Sequence, residues 1–266
     1  MEGRLTVGRS RRAGQPDYGD PHGRALAARG LPQPGVPHRS SEETPVPEGS
    51  LSLPAKLYLL AWDPARDRVT GASHLHHLVR AGALTELAMS GLLTDDSGIA
   101  TPTSDRRTGD TALDSLLELI EESRPRSWKK WVTSRAGVTL DAVREGLVAA
   151  GLLRTRRKRV FGVFPSTAYV VTDRALVGDL HERARSVLRS TGPVSEVSDE
   201  DAALVALATA GELRTVATGR EARRHKKRIE ELTERVGAAA PALRKVIKEV
   251  RTAMIVAATS AGSNGG

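Results

Sequence analysis

The chain has 266 residues, of which 39% are apolar, and it carries a formal charge of +8 and no cysteine. The lack of cysteine excludes disulfides, thiolate metal sites and cysteine nucleophiles, and it favours a reducing compartment such as the cytoplasm. The positive charge favours polyanionic partners, namely nucleic acid, an anionic membrane surface or phosphorylated lipid headgroups. Three Trp, three Tyr and two Phe are too few to favour binding by stacking of exposed bases.

The two ends of the chain differ in composition from its centre. Residues 1–50 are rich in Pro and Gly and hold seven Arg against six acidic residues, a net charge of +1. This composition predicts a disordered tail. We expect a helical domain over residues 51–258 and a flexible C-terminus over residues 259–266. No apolar run reaches the roughly 20 residues of a membrane span, and no signal peptide is predicted.

Helical periodicity dominates the central region. Between Asp110 and Glu122, four apolar residues fall at i, i+3, i+4 and i+7, which predicts an amphipathic helix. Further helices are predicted over about 73–90, around Trp128 and Trp131, over 139–153, from Ser198 to Gly211, over 222–236 and over 241–258. The sequence therefore predicts a mainly α protein with a single helical domain.

One segment, residues 154–171, has β propensity instead and predicts a protruding hairpin that turns at Pro165–Thr167. Its first strand places five cations within six residues and leads into an apolar run that contains two phenylalanines. Cations beside exposed aromatic residues suit an anionic membrane surface. The candidate residues are Arg156, Arg157, Lys158, Arg159, Phe161 and Phe164. A solvated edge that prevents strand aggregation is the alternative interpretation.

Other polar clusters give weaker signals. Six cations and one acid lie between residues 220 and 228, a pattern that more often marks a solvated helix face. His74, His76 and His77 lack further ligands at metal-site spacing, so no metal or other cofactor is predicted. No phosphate-binding glycine loop, nucleophile elbow or zinc-protease motif is present, and the sequence therefore predicts no enzyme.

The order of several motifs resembles the Golgi phosphoprotein 3 family, whose eukaryotic members bind phosphatidylinositol 4-phosphate. The similarity covers about residues 51–258. The motifs are Leu51-Ser52-Leu53, the helix from Leu78 to Ala88, Thr108-Gly109-Asp110 before Leu113-Asp114, Leu147-Val148 through Gly151-Leu152-Leu153 into the hairpin, Ala202 to Ala210, and Arg228-Ile229. The resemblance implies a helical domain with a β-hairpin that acts at a membrane surface.

The family's lipid pocket uses one tryptophan and three arginines. Arg80 matches the first arginine and is predicted at the polar edge of its helix. Gly71 replaces the tryptophan, and Gly137 and Leu140 stand near the positions of the other two arginines. Arg135 and Arg144 are nearby candidates to replace them. The resemblance therefore predicts a peripheral membrane protein with Arg80, Arg135 and Arg144 as headgroup ligands.

Two alternatives remain open, the first from the residues and the second from the resemblance, which implies self-association through the hairpin. Residues 138–171 have the pattern of a winged helix with a basic wing, which would bind nucleic acid, although the helix offers few basic groups to bases. An oligomeric adaptor or scaffold, assembled as a homo-oligomer through the hairpin, is the other.

Overall fold

A computed structural model describes residues 51–71, 73–160, 164–239 and 244–252; the side chains of residues 158–160, 164–166, 238 and 239 lie outside the description. The predicted tail over 1–50 and the C-terminus over 259–266 also lie outside it. All described elements belong to one unit, Pro45–Gly266. Within the described residues the fold is mainly α-helical with small antiparallel hairpins, as predicted.

The elements follow one another in a simple order. The helices are α1 (Leu53–Leu60), α2 (Leu75–Met89), α3 (Thr111–Glu121), α4 (Trp128–Thr133), α5 (Ala136–Ala149), α6 (Arg174–Arg189), α7 (Asp199–Ala210), α8 (Gly219–Arg224) and α9 (Lys226–Ala239). Residues 244–252 are helical and form α10. The antiparallel hairpins are β1 (Trp62–Asp63) with β2 (Arg68–Val69), β3 (Leu93–Asp96) with β4 (Ile99–Pro102), and β5 (Leu153–Val160) with β6 (Phe164–Val171).

Helices α1, α2 and α7 form the centre of the domain. Every residue of α1 is buried, and eight of the twelve residues of α7 are buried. Both helices are apolar around most of their circumference, and such helices lie inside a fold. Helices α3 and α6 have one apolar face each, so they pack on the outside with their charged faces in solvent.

Two glycines allow the central helices to pack closely. A Cβ on Gly82 of α2 would lie 2.6 Å from Leu57 Cδ1 and 3.2 Å from the Cα of Pro54, both in α1. A Cβ on Gly211, directly after α7, would lie 2.8 Å from a methyl group of Leu78. Small residues at these positions therefore set the spacing of α1, α2 and the end of α7.

Helix α2 also makes polar contacts towards each of its own two ends. Near its start, Arg80 contacts Arg135, which precedes α5. Near its end, Glu86 contacts the backbone of Leu53 at the start of α1 and lines a pocket with Glu200 from the first turn of α7. We call these the Arg80 end and the Glu86 end.

Three predicted boundaries were wrong. The helix predicted over 139–153 is α5, which spans Ala136–Ala149, and Leu153 lies in β5. Pro165–Thr167, predicted as the hairpin turn, lie in β6 and pair with residues 157–159 of β5. A strand with a single neighbour tolerates proline because its outer edge has no hydrogen-bonding partner. The helix predicted over 222–236 is divided at His225, where α8 ends, and α9 begins at the next residue.

Candidate functional site: a basic surface around Arg80 and Arg135

Arg80 is a buried cation. Its exposed fraction is 0%, so the predicted position at a polar helix edge is wrong. Its Nη2 donates a hydrogen bond to the backbone carbonyl of Arg135, while its Nε and Nη1 have no partner among the described residues. Burial, with a smaller contribution from the charge of Arg135, lowers the pKa of Arg80 to about 10. The guanidinium therefore remains charged at neutral pH, and no carboxylate of the described residues pairs with it.

Arg135 is the exposed partner in this pair. It lies at the N-terminal boundary of α5 in the left-handed backbone region, with φ of 53°. A residue other than glycine rarely adopts this conformation unless its surroundings hold it there. The hydrogen bond from Arg80 to the Arg135 carbonyl helps to hold the backbone of Arg135 in this conformation.

A row of further cations continues from Arg135 over α4. Residues 124–140 contain five cations and no acidic residue. Trp128 and Trp131 of α4 are buried, which leaves Lys129 and Lys130 exposed. None of the five cations forms an ion pair within the described part of the chain. We define the α4 basic surface as Arg124, Arg126, Lys129, Lys130 and Arg135.

Local contacts hold this surface in place. The Ser127 hydroxyl accepts a hydrogen bond from the backbone N–H of Lys130 and caps α4. The guanidinium of Arg126 lies 5.2 Å from the centre of the Trp131 ring, a cation–π distance. His77 of α2 lies 3.2 Å from the carbonyl of Val132 and ties α4 to the Arg80 end. Sequence reasoning missed this surface, although the five unopposed cations were visible.

Arg144, the third predicted headgroup ligand, does not join Arg80 and Arg135. It lies nine residues beyond Arg135, which at the helical rise of 1.5 Å per residue is about 13 Å along α5. Its guanidinium lies 4.9 Å from the ring centre of Tyr169 and 5.7 Å from that of Tyr58, and it donates to Asp141 at 3.1 Å. These contacts connect the β5–β6 hairpin to α1 and α5.

The β5–β6 hairpin exposes part of its predicted basic set. Arg156 and Arg157 are exposed and pair with Ala168 and Thr167 of the opposite strand. Leu153 and Val171 are buried and anchor the base of the hairpin. The remaining predicted residues fall outside what the structure describes: the side chains of Lys158, Arg159 and Phe164, and the whole of Phe161.

The charged residues between positions 220 and 228 make different contacts and have different roles. Arg228 is buried and donates to the carbonyls of Val187 and Gly192, so it holds the fold together. Glu221 forms a capping box with Thr218 at the start of α8. The hydrogen bonds that Glu221 accepts from Thr218 and Arg189 lower its pKa to about 2. The exposed cations Arg224 and Lys227 remain on the outer face.

The described residues contain no group of three His, Asp or Glu side chains placed to hold a metal ion. In the same part of the chain, no helix is long and apolar enough to cross a bilayer.

The fold and the site together define a class of protein: a helical domain with a cation-rich surface and a basic hairpin. The model of the Golgi phosphoprotein 3 (GPP34) family matches residues 53–250, and the chain belongs to this family. The match begins at the first residue of α1 and ends within α10. The comparison with curated proteins gives no match.

Proposed function

We propose that this domain is a peripheral membrane protein that binds anionic phospholipid through the α4 basic surface. Arg135 contacts a phosphorylated headgroup, which the family resemblance suggests is phosphatidylinositol 4-phosphate. The observation that supports this most directly is the buried, unbalanced charge of Arg80 behind Arg135. A buried charge without a partner is costly, and an anion bound next to it would offset that cost.

The charge distribution suits a bilayer. Each lysine or arginine near an anionic membrane surface contributes about 1 kcal/mol. The α4 basic surface carries five such residues, none of which forms an ion pair among the described residues, and exposed Arg156 and Arg157 add a second cationic region on the hairpin. Lys158, Arg159, Phe161 and Phe164 are proposed to extend that region.

Arg80 and Arg135 have different roles in this proposal. Arg135 is exposed, and its planar guanidinium suits bidentate contact with a phosphate monoester. Arg80 is buried and therefore does not contact the headgroup itself. It holds the backbone of Arg135 and adds positive electrostatic potential beneath the surface. Arg144 contacts Asp141, Tyr58 and Tyr169. In this proposal it stabilises the position of the hairpin and does not bind a headgroup.

Vesicle flotation tests the proposal. The full chain is mixed with vesicles of phosphatidylcholine alone, with added phosphatidylserine, and with added phosphatidylinositol 4-phosphate, at two salt concentrations. The variant Lys129→Gln/Lys130→Gln is expected to lose about 2 kcal/mol of binding, a factor of about 30, from the loss of two cations. Arg135→Gln is expected to lose the preference for the phosphorylated lipid.

The matched control is Arg224→Gln/Lys227→Gln, which removes two exposed cations outside the α4 basic surface. Equal losses for both double variants would show that binding follows net charge alone and would contradict the proposal. Duplex DNA added as a competitor tests the nucleic-acid alternative. The exposed side chains of α5 include Asp141 and Glu145, which oppose entry into a DNA groove. Solution mass measured in the same buffers tests self-association.

A further inference from the structure

A cleft opens between the last four helices that the structure describes. It has a volume of about 280 Å³ and is lined by residues from the end of α7 and from α8, α9 and α10. Clefts between helices are common sites for small molecules, and this volume is at the lower end of their range. None of the lining residues belongs to the α4 basic surface. We call this site the α8–α10 cleft.

The uncharged residues of the α8–α10 cleft form an apolar base. Ile229 of α9 is buried, and Thr209 of α7 and Ala222 of α8 are half-buried. The hydroxyl hydrogen of Thr209 is used within its own helix, where the hydroxyl donates to the carbonyls of Val205 and Ala206. The base therefore has no free donor for a polar group, and it suits a short aliphatic or aromatic group.

The charged residues of the cleft are all exposed and form its rim. They are the three cations Arg223, Lys226 and Arg251 and the single acid Glu230. Lys226 lies 3.7 Å from Glu230. Arg223 and Arg251 form no ion pair among the described residues. Two guanidinium groups from different helices thus line one cleft, and the only acid that lines it with them already has a partner.

This combination of charge and shape indicates the kind of molecule that fits. The two unpaired arginines repel each other, and an anion between them would replace repulsion with attraction. A planar guanidinium also suits a carboxylate, because it can donate two parallel hydrogen bonds to it. The apolar base would remain in water under a bare inorganic anion, whereas an organic acid with an apolar body would cover it.

We propose that the α8–α10 cleft binds a small organic acid. Its carboxylate is held by Arg223 and Arg251, and its short aliphatic or aromatic body lies on Ala222 and Ile229. A cleft of this volume does not hold a phospholipid with two acyl chains. The proposal is therefore separate from membrane binding and does not depend on it.

The probe is 4-(trifluoromethyl)benzoate, and its binding to the full chain is followed by fluorine NMR. The neutral probe 4-(trifluoromethyl)benzamide has the same body without the charge, and inorganic phosphate has the charge without the body. The benzoate is expected to bind saturably and about tenfold or more tightly than the benzamide, since hydrogen bonds between charged groups are lost with the carboxylate. Equal binding of the benzamide, tighter binding of phosphate, or no saturable binding of the benzoate would overturn the proposal.

Two variants test the position of the site. Arg223→Gln/Arg251→Gln should weaken benzoate binding about tenfold or more. Ala222→Leu keeps every charge, adds apolar volume inside the cleft and should also weaken binding. The matched control is Arg224→Gln/Lys227→Gln, which removes two exposed cations of α8 and α9 that do not line the cleft. Equal losses in both double variants, or normal binding by Ala222→Leu, would overturn the proposed position.

Two further readouts separate this result from misfolding and from the proposed lipid binding. The circular dichroism spectrum of each variant should match that of the unmodified chain. The comparison of the two fluorinated probes uses the unmodified chain, so it is decisive even where a variant misfolds. Arg223→Gln/Arg251→Gln should float with anionic vesicles as well as the matched control does. Failure of the unmodified chain to float would contradict lipid binding alone, and failure of the benzoate to bind would contradict the cleft proposal alone.

Discussion

The guanidinium of Arg80 donates a hydrogen bond of 2.8 Å to the backbone carbonyl of Arg135. One arginine thereby fixes the backbone of another at the point where the α4 basic surface meets α5. Because Arg135 has a positive φ and Arg80 pairs with no carboxylate in the part of the chain that the structure describes, the arrangement combines two unfavourable features at one place. Such features are characteristic of binding sites, where an incoming ligand offsets them.

This relationship predicts the effect of replacing Arg80 with methionine. Arg80→Met keeps an unbranched but shorter side chain, removes the buried charge and loses the hydrogen bond to Arg135. The two effects oppose each other, so the free energy of unfolding in urea should change by less than about 2 kcal/mol. Flotation with vesicles containing phosphatidylinositol 4-phosphate should fall markedly. A large loss of stability with unchanged lipid binding would show that Arg80 has a structural role only.

Replacing Arg144 is expected to lower stability and to leave vesicle binding unchanged. Arg144→Lys removes the planar guanidinium that lies between Tyr58 and Tyr169, and it should cost about 1 kcal/mol of stability. Amide hydrogen exchange should quicken in residues 167–171 of β6, while vesicle binding should remain unchanged. Asp141→Asn, which keeps the stacking and weakens only the 3.1 Å contact, is the control and should have a smaller effect. Loss of vesicle binding in Arg144→Lys would instead assign Arg144 to the lipid site.

Local sequence signals predicted much of the helical structure. The spacing of Leu113, Leu116, Leu117 and Ile120 predicted a helix over 110–122, and α3 spans Thr111–Glu121. A helix was predicted from Ser198, and the Ser198 hydroxyl caps α7 by accepting a hydrogen bond from the N–H of Asp201. These features depend on residues within one helical turn, so they could be read without knowledge of the fold.

Features that depend on packing between elements could not be predicted in the same way. Arg80 was placed at a helix edge because its neighbours in sequence suggested an amphipathic helix, whereas α2 is surrounded by other helices and buries ten of its fifteen residues. The pocket at Glu86 brings together residues as far apart as Ser52 and Glu200. No periodicity or spacing in the sequence indicates that these residues meet.

The close contact of α1 and α2 predicts that Gly82→Ala is destabilising. The added methyl group would lie 2.6 Å from Leu57 Cδ1 and 3.2 Å from the backbone of Pro54. The backbone of α1 cannot move without disturbing the core, so unfolding in urea should show a loss of about 1–3 kcal/mol. Gly178→Ala in α6 is the control, since no atom lies within 4 Å of the added carbon. It should gain up to about 1 kcal/mol from improved helix propensity.

The raised pKa of Glu86 predicts that stability depends on pH. Its folded pKa of about 7 exceeds the usual value of 4.5, so folding takes up a proton on this carboxyl between those pH values. Its contribution to stability is present at low pH and is lost as pH rises from about 4.5 through 7. The full loss is about 3 kcal/mol, from 1.36 kcal/mol per pKa unit.

The measurement is the free energy of unfolding in urea at pH 5, 6, 7 and 8 for the unmodified chain and for Glu86→Gln. Burial lowers the pKa of His181, which favours folding as pH rises and opposes the effect of Glu86. That contribution is common to both chains and disappears from their difference. The stability of the unmodified chain should therefore fall relative to Glu86→Gln between pH 5 and pH 8. A difference that is constant over this range would mean that Glu86 is already ionised at pH 5. Burial and repulsion by Asp110 and Glu200 would then not raise its pKa in the folded chain.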